Sequence, residues 1–204
     1  IRGVGSLLVE EQSGKVNAIG YDLYIEMLNE AISEISGQEI PEIKDTQVDL
    51  PVNAFIPATW IVNREEKLDA YKSATECSNE KELTELAIDW ANRYGNIPSP
   101  VESLITLLKL KLLAKKCGFN IIKLKKPNII IETKIKKSTF NILKNSLSTS
   151  VQNKFIFEEG DLFSKIIVRG LGVTEIQNQI DQLISWFRLF EREINNFANE
   201  SRIK

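Results

Sequence analysis

Apolar residues recur every three or four positions over 19–35, where Ile19, Leu23, Met27, Leu28, Ala31, Ile32 and Ile35 make one stripe. That spacing predicts a helix from about Ala18, stopped by Gly37. The period then shortens: Val48, Leu50 and Val52 alternate with polar neighbours over 47–54, as in a half-buried strand, and Phe55-Ile56-Pro57 closes it. Three helices follow. The first is capped by Asn63, carries Glu65 and Glu66 in its first turn, and turns Leu68, Tyr71, Ala74 and Thr75 inward. The second runs from an Asn79 cap to Tyr94, with Leu83, Leu86, Ala87, Trp90 and Ala91 on one face and Gly95 at its end. The third, Leu-rich, covers 101–117 after Pro98-Ser99-Pro100 and stops at Gly118.

Two strands are expected at 121–125 and 128–134, joined by a tight turn at Lys126-Pro127. A short helix at 139–147, strands at 154–157 and 164–168, and a long helix from Thr174 to about Asn199 complete the chain. Thr174 and Gln177 have the spacing of a capping box, and Trp186, Phe187, Phe190 and Phe197 sit at helical intervals that suit a core. The order contains no regular βαβ alternation. It predicts an α+β fold, a small mixed or antiparallel sheet packed with several helices and preceded by a loop and a helix. Gly37 and Pro41 mark a boundary, giving 1–37 as one module, 38–46 as a linker and 47–204 as a second module.

Composition narrows the chemistry more than the fold. The 204 residues are 43% hydrophobic with net charge -2, which is ordinary for a globular chain. No apolar run reaches the length of a membrane span, Lys109 and Lys111 interrupting the nearest one, so no membrane role is expected. There is no histidine, which removes the commonest general base and the Ser-His and Cys-His nucleophile pairs. Cys77 and Cys117 lie far apart without a CxxC, fitting unpaired core or half-buried thiols in a reducing, cytoplasmic setting, and no metal site. Carboxylate groups such as Glu65-Glu66 and Glu80-Lys81-Glu82 read as solvated faces. Gly3-Val4-Gly5 and Gly170-Leu171-Gly172 each follow an arginine, but neither extends to a dinucleotide or phosphate loop, and the pair reads as coincidental turns. The chain starts at Ile1 without a signal-peptide pattern, and the expectation is a piece of a larger protein with no complete catalytic site.

Charge is unevenly spread. Residues 101–144 hold 11 Lys and no Arg against Glu102 and Glu132, a local balance of +9, so the rest of the chain carries -11. Such a segment could contact the phosphates of duplex DNA. Only Phe119 and Phe140 are available there to stack bases, and the lysines are divided among a helix, a hairpin and a turn, which favours a solvated face or a dock for an acidic protein surface. Lys134, Lys136 and Lys137 are the candidate docking residues.

Beyond these patterns, Ile1-Arg2-Gly3-Val4-Gly5-Ser6-Leu7-Leu8, Glu10-Glu11-Gln12-Ser13-Gly14 and Ile19-Gly20-Tyr21-Asp22-Leu23-Tyr24 closely resemble the segment that ends the motor of bacterial transcription-repair coupling factors. The likeness continues through Val48-Asp49-Leu50-Pro51-Val52-Asn53-Ala54-Phe55-Ile56-Pro57, 64–71 and Asn92-Arg93-Tyr94-Gly95-Asn96-Ile97-Pro98, covers nearly the whole chain and weakens after Lys123. It implies that Arg2, Gly3, Gly5 and Gln12 belong to the RecG-like translocation motif, which couples ATP hydrolysis to movement along DNA; Val9 stands where that family usually has glycine. It further implies that 1–37 is the trailing end of the motor and 47–204 the C-terminal regulatory domain. ATP and Mg²⁺ would be used upstream, with no cofactor in this chain. The expected partners are the protein's own N-terminal UvrB-like module, UvrA indirectly, and RNA polymerase and duplex DNA through the whole protein. The expected role is non-catalytic: an autoinhibitory brace on the N-terminal module that masks UvrA recruitment.

Overall fold

The structure, a computed structural model, describes residues 46–202, with side chains as far as 196. The loop at 1–15, the helix at 18–35, the linker as far as 45, Arg2, Gly3, Gly5, Gln12 and the side chain of Phe197 therefore lie outside the described residues.

Five strands form one mixed sheet in the order β1-β2-β3-β5-β4: β1 Gln47–Asp49, β2 Phe119–Lys125, β3 Asn128–Thr133, β4 Phe155–Glu158 and β5 Ser164–Val168. β1 pairs parallel with β2, and every other neighbour is antiparallel. A parallel pair needs a long crossover. Three helices supply it: α1 Arg64–Glu76, α2 Glu80–Tyr94 and α3 Ser99–Lys116. After β3 come α4 Lys137–Asn145 and α5 Thr149–Gln152, and after β5 a 3₁₀ turn at Leu171–Val173 and α6 Ile176–Arg202. The α+β expectation holds, with α5 and the 3₁₀ turn added; both are too short to leave a periodic signature.

The local signals explain most boundaries. Asn63 accepts from the N–H groups of Glu65 and Glu66 at 2.8 and 3.1 Å, and Asn79 from Glu82 at 3.0 Å. The Glu82 carboxylate returns to the Ser78 N–H and hydroxyl, closing a reciprocal cap. Gly95 and Gly118, at φ 84° and 75°, follow α2 and α3, a backbone region that favours glycine. β1 is shorter than expected because Pro51 has no N–H to give a ladder, and Val52 donates to the Leu50 carbonyl instead. The alternation still governs burial: Val48, Leu50, Val52, Ala54 and Ile56 are all inside.

Three expectations are corrected. Leu68 is 41% exposed rather than inward, since α1 rests on Ala70, Tyr71 and Ala74, and the Tyr71 hydroxyl accepts from the Ile56 N–H at 2.8 Å. Thr174 and Gln177 form no capping box: the Thr174 hydroxyl donates to the Leu171 carbonyl and the Gln177 amide to Asp181. Glu80 is no solvated carboxylate. It accepts from Arg188 of α6 at 2.7 Å and lies 3.6 Å from Lys109 of α3, tying three helices together.

The core lies between one sheet face and the helices. Ile122, Ile129, Ile131, Ile166 and Val168 point into it from the strands, opposite Leu104, Leu110 and Leu113 of α3 and Leu183, Phe187 and Phe190 of α6. Phe119 packs on Phe187 and Phe190 at ring separations of 4.9 and 6.3 Å, and Phe140 and Phe155 meet the same Phe190. Trp186, Phe187 and Phe190 are thus core residues, as their spacing predicts.

Two stability outcomes follow. Phe187→Ala should cost about 3–5 kcal/mol and Asn79→Ala about 1 kcal/mol in urea denaturation, a ranking that reverses only if the aromatic junction is peripheral. The Arg188 hydrogen bond and charge, with Lys109, hold the Glu80 carboxyl below its ordinary 4.5. A carboxyl lowered by folding stabilises the fold above its unfolded pKa and loses that contribution as pH falls through the folded value. The stability gap between the natural chain and Glu80→Gln should therefore narrow below about pH 4.5, as measured by denaturation at stepped pH.

Candidate docking surface

At one end of the sheet the backbone is pinned by hydroxyls. Thr133, the last residue of β3 and fully buried, donates to the Gly118 carbonyl at 2.7 Å and accepts from the Ile135 N–H at 3.1 Å. Ile135 then turns inward: a Cβ built on Gly118 would sit 3.0 Å from its Cγ2. With Thr133 and Ile135 held, Lys134, Lys136 and Lys137 are left outside, all three exposed. Lys136 also caps α4, whose N-terminus has no side-chain cap and no acid in its first turn. The helix dipole therefore adds to the positive field of the lysines.

The opposite wall is the loop joining β4 to β5. Glu159, Gly160, Asp161, Leu162 and Ser164 face Lys134, Ile135, Lys136, Lys137 and Ser138 across a groove of about 740 Å³. Gly160 is required by space, because a Cβ there would come within 2.2 Å of the Phe163 carbonyl oxygen. The Lys134 ammonium lies 5.2 Å from the centre of the Phe163 ring. Leu162 stands at the rim, 83% exposed.

Three lysines of the Lys-rich middle are held in ion pairs between elements. Lys109 is paired with Glu80, Lys116 with Glu191 and Lys123 with Glu132. Lys134, Lys136 and Lys137 form no ion pair among the described residues; Glu159 and Asp161 line the same groove without closing on them. The structure thus brings the three lysines picked from sequence into one groove. It adds Ser138, Leu162 and Phe163, which sequence reasoning missed; an apolar Leu-Phe pair directly after Glu158-Glu159-Gly160-Asp161 was the available signal.

The arrangement suits binding better than covalent chemistry. The Cys117 thiol is pushed up to about 12, chiefly by burial, and Cys77 is raised by burial with help from Glu82 and Glu76, so neither is poised as a thiolate. Among the described residues no group of three or more His, Cys, Asp or Glu is placed to hold a metal ion, and no helix is long and apolar enough to cross a membrane. The Arg169-Gly170-Leu171-Gly172 signature is a turn, with Gly170 at φ 71° donating to the Asn128 side chain.

Comparison with known proteins agrees with the resemblance read from the residues. The TRCF domain family matches residues 50–143. The transcription-repair-coupling factor of Bacillus subtilis (strain 168) is 32% identical over 174 residues, which is 85% of this chain and 14% of that protein. That of Borreliella burgdorferi is 36% identical over 136 residues, 67% of this chain and 12% of that protein. The chain therefore spans about one seventh of the length of these relatives. Among solved structures, a crystal structure of the C-terminal domain of transcription-repair coupling factor superposes with a TM-score of 0.63 at 15% identity, covering 73% of this chain and 93% of that one. The chain belongs to the transcription-repair coupling factor family, carrying its TRCF domain in the fold of the family's C-terminal domain.

Proposed function

We propose that this chain is the non-catalytic C-terminal regulatory part of a DNA translocase in transcription-coupled repair. It packs on the protein's own N-terminal UvrB-like module, masks the recruitment of UvrA and restrains the motor until RNA polymerase is engaged. The observation that carries this reading is the lysine groove on a TRCF domain: three exposed lysines that form no ion pair among the described residues. A brace of this kind needs complementary charge and a releasable contact rather than an active site. ATP, Mg²⁺ and duplex DNA belong in this reading to the motor upstream, and Arg2, Gly3, Gly5 and Gln12 are its coupling residues.

A second reading has its own observation. Exposed lysines also suit the phosphates of duplex DNA, making this an accessory DNA-contacting domain. The acid residues Glu159 and Asp161 on the facing wall of the groove weigh against it.

The test is a pull-down of the isolated N-terminal module by this chain. Capture should weaken as salt rises, because exposed charges are screened over about 8 Å at physiological ionic strength. It should fall at least about tenfold in the Lys134→Glu, Lys136→Glu, Lys137→Glu variant, and UvrA should compete. Salt-dependent duplex binding, lost in that variant and unaccompanied by capture of the module, would establish the second reading instead.

A further inference from the structure

The two edges of the sheet are not alike. β1 is three residues long, and Pro51 closes it, with no N–H to offer a further strand. β4, at the other edge, reads Phe155-Ile156-Phe157-Glu158, with no proline and no bulge in its pairing with β5. Charge stands only at its ends, on Lys154 just before it and on Glu158, both exposed. Apart from its short length, this edge lacks the devices that keep a strand from pairing with another chain.

The direction of its backbone groups follows from one hydrogen bond. Phe155 lies opposite Val168, so Lys154 faces Arg169, and the Arg169 N–H donates to the Lys154 carbonyl at 2.8 Å. In an antiparallel ladder bonded pairs alternate, so Ile156 and Glu158 bond to β5 next, and Phe155 and Phe157 turn their N–H and C=O groups to the open side. The side chains alternate as well. Phe155 and Phe157 pack on Phe140 on the helix side, while Ile156, 38% exposed, continues a row of isoleucines across the outer face with Ile130 and Ile167.

This strand is complementary to itself. Residues directly opposite in a sheet share a face, so two antiparallel copies of β4 can shift against each other only in steps of two. In the register with its two-fold axis at Ile156, Phe155 of each copy and Phe157 of the other exchange N–H···O bonds in both directions. Ile156 meets its own copy and extends the isoleucine row. Lys154 then stands opposite Glu158 of the second copy, and Glu158 opposite its Lys154, within about 4.5–5.5 Å between Cβ atoms. Lys154 leaves one exposed contact to do so, its ammonium lying 5.9 Å from the centre of the Trp186 ring. One step either way sets Lys154 or Glu158 against Ile156 instead.

We infer that the β4 edge is a docking surface for a second copy of this chain, joined antiparallel about Ile156 into one continuous sheet. A four-residue edge falls short of the roughly 1,000 Å² of a stable interface, so the pair is weak, with a dissociation constant of the order of 0.1 mM. This contact is independent of the lysine groove and of the reading given to it above.

Sedimentation equilibrium of the 204-residue chain tests the contact through a charge swap. The natural chain should form dimers as its concentration approaches the dissociation constant. Lys154→Glu sets Glu against Glu158 of the second copy, and Glu158→Lys sets Lys against Lys154, so each variant alone should associate at least about tenfold more weakly. A mixture of the two variants should regain the dimer, because each strand then meets its opposite charges, and a chain carrying both changes should dimerise by itself. A natural chain that stays monomeric at several times that concentration overturns the inference. So does a dimer that neither single variant weakens, or a mixture that remains monomeric.

Discussion

The junction of Phe119, Phe187 and Phe190 is the contact on which the rest of the fold depends. Phe119 opens β2, the strand that carries β1 on one side and β3 on the other, and its ring meets two rings of α6. Phe190 also receives Phe140 of α4 and Phe155 of β4. One helix residue thus holds elements from both ends of the sheet, and edge-on aromatic packing makes the geometry specific as well as apolar. The α3 helix, buried along Leu104, Leu110 and Leu113, completes the layer against α6. Because α3 and α6 are also tied by Lys116 to Glu191, charge at the rim and rings in the centre hold the same pair.

The lysine-rich middle of the chain divides, on folding, into two populations. Lys109 and Lys116 on α3 and Lys123 on the sheet find carboxylates on neighbouring elements, and those pairs hold the domain to itself. The lysines after β3 do not: the Thr133 bonds and the inward turn of Ile135 leave them outside, across the groove from Glu159 and Asp161 but in no ion pair with them. The charge excess seen in sequence is therefore partly internal structure and partly surface left over for other contacts.

Much of the fold is legible in the sequence. Asn63, Asn79, Gly95 and Gly118 act through backbone rules that hold wherever they occur, so the helix limits they predict are close to those observed. Leu68 was misplaced because a helix stripe three to four residues apart leaves the exact rotation open, and the Tyr71 bond to Ile56 decides it. The capping box at Thr174 failed because the 3₁₀ turn at Leu171–Val173 offers that hydroxyl a nearer carbonyl. The groove was half visible. Its lysines stood out by charge, whereas its far wall comes from a hairpin more than twenty residues later, and no local pattern reveals which loop will face which turn.

The parallel pairing of β1 with β2 has a consequence for how the domain assembles. Thr46 and Phe119 are separated by 73 positions, and β1 contributes only three residues to the ladder. Closing so long a loop for so short a strand is entropically unfavourable until the helices between them have packed. The strand that leads into the domain thus has no ladder to join until β2, about seventy positions later, has been made and the helices between them have packed.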